Sequence, residues 1–135
     1  MIAALLALAV TASPSPLPTD PGTALIVDSG STNTGGYQIT VHTDGTVAVA
    51  GAHLAKRTTI PVTLAQRFFA DLRAAGDLSA LPSAHCMKSA SFGSTLRVAY
   101  LGKASPDLSC PSPSTAGRTL TEDTQAITDA VITPR

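Results

Sequence analysis

Asp28-Ser29-Gly30, at the end of the apolar run Ala24 to Val27, is the first place where residue types and spacing point to chemistry. A carboxyl group at the exit of a strand can serve as one half of a pair in which two aspartates share a proton and activate water for peptide hydrolysis. The chain holds one such triplet, so the pair would form only in a twofold dimer. Cys86 and Cys110 come next, either as thiols or as a crosslink, with His85 placed to act as base for a Cys86 nucleophile. His42, His53 and His85 lack metal-ligand spacing and read as separate exposed histidines. There is no Gly-x-Ser-x-Gly elbow, no phosphate-binding glycine loop and no Cys-x-x-Cys pair. The expectation is a non-enzymatic chain without metal or cofactor.

Length and composition bound the partners. The 135 residues fit one domain, and 44% hydrophobic against 13% charged residues suits a chain that folds around a core. Nine Lys plus Arg balance nine Asp plus Glu, so no net field gathers nucleic acid or an anionic membrane. With no Trp, stacking platforms for bases are scarce as well.

The amino terminus reads as an export signal over residues 1–12. Ile2 to Val10 is apolar, Val10-Thr11-Ala12 suits a signal peptidase, and no Lys or Arg precedes the run. The run is far shorter than the roughly 20 residues a membrane-spanning helix requires, so no span is expected in the mature chain. A secreted or periplasmic location follows, and outside the reducing cytosol the two cysteines are expected to pair with each other. Closing a loop of about 24 residues would contribute roughly 3 kcal/mol. Residues 13–22, with Pro14, Pro16, Pro18 and Pro21, read as an extended tether ahead of one domain over 23–135.

The elements that would position these residues follow from periodicity. Ala24 to Val27 is a short strand, Ser29 to Gly36 a polar turn, and Tyr37 to Thr43 alternates Tyr37, Ile39 and Val41 against polar neighbours. Asp44-Gly45 predicts a tight hairpin with two positive-φ positions, returning along Thr46 to Ala50. Gly51 to Arg57 reads as a loop. A helix capped by Thr63, with Gln66 reaching back, buries Leu64, Phe68, Leu72 and Ala75 and stops at Gly76. After a turn over Leu78 to Leu81 comes the polar stretch Ser83 to Ser94, then a strand from Thr95 to Leu101 and a turn at Gly102-Lys103. A last helix, about Thr119 to Ile132, has Thr119 and Glu122 as capping box and Leu120, Ile127 and Val131 as its stripe. The fold class is α+β: an antiparallel sheet with two helices on one face and a single disulfide.

Three resemblances attach to these segments. Leu25 to Gly36 is similar to the catalytic aspartate loop of the half-size, dimeric aspartic proteases, and the likeness implies Asp28 as the catalytic residue. The tether ends only about five residues before Asp28, and Tyr100-Leu101-Gly102 runs into Pro106 where those enzymes continue as a helix. A turn made of Asp, Ser, Asn and Gly is the competing reading. The region Phe69 to Cys110, with "ADLRAAGDLSAL" followed by a cysteine-opened loop, resembles the secreted subtilisin inhibitors of bacteria. That likeness implies Lys88 as the residue presented to a specificity pocket, Ser89 after the scissile bond, and a trypsin-like protease as partner. Finally, "DSGSTNTGG", "HCMKSASFG" and "SPDLSCP" look like stretches of exported bacterial proteins with no assigned activity, and that likeness implies Lys88, Ser89, Ser91, Phe92 and Gly93 as a candidate surface. Met87 and Lys88 also stand where a loop constrained beside Cys86 would project them, while loop packing, with Phe92 over the sulfur bridge and Gly93 at a bend, is the competing reading. The reading carried forward is an exported binding or structural domain whose partner is a protein, with protease inhibition as the alternative and aspartic proteolysis as the remote one.

Overall fold

Alternation gives the strands one face to bury, and the register shows how it is used. The computed structural model describes residues 16–51, 54–89, 91 and 93–132. The export signal, the first three tether residues, His53 and Phe92 lie outside them. Among the described residues the chain forms β1 (Thr23–Asp28), β2 (Tyr37–His42), β3 (Thr46–Gly51), β4 (Leu54–Thr59), α1 (Val62–Ala75), β5 (Leu96–Tyr100), β6 (Lys103–Ala104) and α2 (Thr115–Val131). The strands make one antiparallel sheet in the order β4-β3-β2-β1-β5-β6. Its register sets Val49, Ile39, Ile26 and Val98 side by side across four strands, each almost fully buried. Phe68, Phe69 and Leu72 of α1 and Leu120, Ile127 and Val131 of α2 belong to the same core cluster, and Phe69 meets Tyr100 edge to face at 5.8 Å. The expected α+β architecture is the one observed.

Five local expectations are corrected. The β2–β3 hairpin uses one positive-φ residue, not two: Gly45 stands at φ +89°, while Leu101 is the positive-φ non-glycine among the described residues. Gly45 N donates to His42 O, which marks a type I turn closed by a left-handed glycine, and Asp44 accepts from Thr46 N and Oγ1 instead of turning left-handed itself. A Cβ on Gly45 would also stand 2.8 Å from Ile60 O. The stretch read as a loop at Gly51 to Arg57 is largely strand, because β4 pairs with β3 from Leu54 to Thr59. The helices leave Lys56 exposed on the helix-facing row of β4, a charge at a sheet edge that discourages pairing with another chain.

The helix starts differ too. Pro61 occupies the α1 cap position with no side-chain cap bond, so Thr63 lies inside the first turn. α2 starts earlier than read: Ser114 Oγ accepts from Gly117 N, and Thr119 is an interior residue bonded back to Thr115 O.

The turn after β5 falls at Leu101-Gly102, where φ is +50° and +75° and Tyr100 pairs with Lys103. This two-residue, left-handed turn suits Asn-Gly, whereas Leu101 pays for it in strain while its side chain stays half exposed. Leu101→Asn is therefore expected to raise stability by about 1 kcal/mol. An unchanged urea midpoint would show that the position carries no strain.

Candidate functional site

Two polar segments that are distant in sequence converge at one end of the sheet, where β1 stops and β5 starts. Asp28 ends β1 with its Oδ1 accepting from Gly30 N at 2.8 Å, and the following loop closes through Ser31 N to Thr34 O. Ser29 N donates to Thr95 O while Ser29 Oγ accepts from Thr95 N at 2.9 Å. Ser31 Oγ and Asn33 N both donate to Ser91 O. The turn at 29–36 is thus a buttress for the loop that follows Cys86.

That loop is pinned from its other side as well. Cys86 and Cys110 form the expected disulfide, with Cα atoms 5.6 Å apart, Cys110 buried and Cys86 exposed. Lys88 Nζ is ion-paired with Asp107 and also donates to Ser94 O at 2.9 Å. Asp107 Oδ1 in turn accepts from Leu96 N and Ser109 N, each at 2.9 Å. Burial alone would raise the Asp107 carboxyl, but the hydrogen bonds from Lys88, Leu96 and Ser109 outweigh it and hold the group well below the usual carboxylate range. Gly93 N donates to Ser89 O, and a Cβ on Gly93 would stand 2.5 Å from that oxygen, so the bend requires glycine.

The sequence-derived residues occupy different places in this arrangement. Lys88 is engaged, its ammonium turned back onto Asp107. Ser89 is part of the turn, receiving Gly93 N on its carbonyl and Ser91 N on its hydroxyl. Met87 projects from the loop at 101% relative exposure, an exposed large apolar side chain among the described residues of this end.

Beneath the loop, a cleft of about 250 Å³ opens between the sheet end and α2, lined by Asp28, Tyr37, Ser94, Thr124, Gln125 and Thr128 among others. Burial, followed by the Asp28 charge, raises the Tyr37 hydroxyl above the ordinary phenol range. Asp28 Oδ2 accepts from Ser94 Oγ at 3.3 Å. The carboxylate therefore faces this cleft, and a second copy of it would have to enter the cleft to share a proton. No group of three or more metal-ligating side chains occurs among the described residues.

No family model, curated protein or solved structure matches the chain. The reading of this end rests on its geometry. Sequence reasoning marked both loops but missed Asp107, the acceptor that joins them to β5. The Asp-x-Ser spacing of Asp107 and Ser109 is a turn signal that could have found it, though not its pairing with Lys88.

Asp107→Asn is expected to cost about 2 kcal/mol, since a charged hub for three donors becomes a neutral one. Because the folded chain favours the carboxylate, this contribution is complete above pH ~4 and drains away as acid titrates the group. Urea unfolding from pH 2.5 to 7 would measure it. Trypsin cleavage after Lys88 should also become faster in the variant, as the ammonium is released.

Proposed function

We propose that the chain is an exported, non-enzymatic binding domain that engages a partner protein through the loop from Cys86 to Gly93, with Met87 as its anchor. The observation that carries this reading is a fully exposed methionine on a loop held by a disulfide, an ion pair and hydrogen bonds to a second loop. Ordering such a loop costs little at the moment of binding, so the contact area of Met87 is not offset by lost freedom. Export is supported by the amino-terminal pattern together with the disulfide, which persists in oxidising surroundings. No helix among the described residues is long and apolar enough to cross a membrane.

Protease inhibition is the second reading, favoured by the same disulfide-anchored loop. Its specificity shifts, however, from Lys88 to Met87, because Lys88 would have to give up Asp107 and Ser94 O to enter a trypsin pocket. A Met side chain suits the apolar pocket of a chymotrypsin- or subtilisin-like enzyme.

A photocrosslinking side chain placed at position 87 and presented to native culture medium should yield a discrete adduct that the same group at exposed Ala70 of α1 does not. Identical adducts at the two positions would remove the binding reading. Titration of chymotrypsin, subtilisin and trypsin separates the second reading: inhibition of the first two that disappears in Met87→Asp supports it, and full activity of all three at micromolar protein ends it.

A further inference from the structure

Asp123 lies on α2 with its side chain 2% exposed, against α1. Arg67 Nε of α1 donates to Asp123 Oδ1 at 2.8 Å. Asp71, one helical turn after Arg67, brings a second carboxyl group into hydrogen-bonding contact with Asp123. Yet Oδ2 of Asp71 and Oδ2 of Asp123 are both buried without a donor from the protein. Two carboxylates cannot bond to each other; a carboxylate and a carboxylic acid can.

Charge balance points the same way. With both carboxyls ionised, the interface holds two negative charges against one guanidinium, whose side chain is 57% exposed and so partly screened by water. One proton brings Asp71, Asp123 and Arg67 to zero net charge and supplies the missing donor. We propose that Asp71 and Asp123 hold one proton between them and that this proton latches α1 to α2 in mildly acidic surroundings, the latch weakening toward neutrality. The proton belongs to the pair rather than to either residue.

Burial, then the Asp71 hydrogen bond, push the Asp123 carboxyl up to about 6 against the pull of Arg67. The folded chain therefore holds the proton more tightly than the unfolded one. The contribution is complete below about pH 4 and is lost as pH rises through about 6. Other charged groups stand apart from the pair: Arg73 on α1 and Arg118, Glu122 and Asp129 on α2 are exposed, and the helix-facing rows of the sheet carry Asp28, Lys56 and Lys103. The latch is also connected to the cleft. Thr124 follows Asp123 directly, and with Gln125 and Thr128 it forms the α2 wall facing Asp28 and Tyr37.

Carbon NMR of the aspartate carboxyls in the wild-type chain tests the proton directly. One transition of the Asp71–Asp123 pair is expected near pH 6; completion of both transitions below pH 5 would overturn the proposal. The unfolding constant should rise about a hundredfold from pH 4 to pH 7.5, as a shift of about two pH units requires. In Asp71→Asn an amide donor replaces the shared proton, so that rise should vanish, whereas Asp107→Asn should keep it. An equal rise in wild type and Asp71→Asn would refute the latch. The Tyr37 ring signals should move with the same midpoint; a Tyr37 blind to that transition would refute the link to the cleft.

Discussion

The candidate site depends on the carboxylate of Asp107. Its oxygens accept from the Lys88 ammonium and from the backbone of Leu96 and Ser109, so one group joins the Cys86 loop, the first residue of β5 and the irregular segment approaching Cys110. The disulfide limits how far that loop can travel, but a bond between two backbones leaves the residues after Cys86 free to pivot. Asp107 removes the pivot by fixing the side chain two residues on. Met87 projects into solvent beside this network, between Cys86, held by the disulfide, and Lys88, held by Asp107. The proposed binding role is thus a consequence of where the polar contacts go.

The two helices stand in a different relation to the sheet. Their apolar stripes satisfy the same central row of Ile26, Ile39, Val49 and Val98, and that burial supplies most of the driving force for folding. Between the helices the contact is partly polar, with Arg67, Asp71 and Asp123 meeting where apolar residues would pack without any dependence on pH. The domain therefore combines an apolar sheet–helix layer with a helix–helix seam whose stability follows proton activity. The Asp107 network is weakened only in stronger acid, so loop order and seam order fade at opposite ends of the pH range.

Much of this was legible in the sequence, and the failures are instructive. Alternation in Tyr37 to Thr43 and Thr95 to Leu101 placed two central strands, and export chemistry paired Cys86 with Cys110, because those signals are local or compositional. β4 was not legible: Leu54-Ala55-Lys56-Arg57-Thr58-Thr59 has no alternating apolar set, as an edge strand beyond the reach of the helices buries little. Gly117 in the first turn hid the start of α2, since glycine is a poor helix former and Ser114 alone sets the cap. The type of the β2–β3 turn was misassigned because Asp-Gly serves both a left-handed pair and a type I turn closed by glycine. For the site, both loops stood out by composition, but their contact joins Ser31 to Ser91, sixty residues apart, and the latch joins Asp71 to Asp123. Such pairs are fixed by topology and leave no periodic trace.

The amino-terminal tether has a direction. Pro18 O accepts from Gly102 N and Pro21 O from the Tyr100 hydroxyl, which moors the incoming chain beside the hairpin that follows β5. That hairpin lies at the far end of β1 from Asp28, a six-residue strand roughly 20 Å long. Pro18 and Pro21 are thus held at one pole, while the exposed thioether occupies the other. Held from its amino terminus, the domain would carry its contact residue outward like the tip of a probe, with the length of the sheet as standoff.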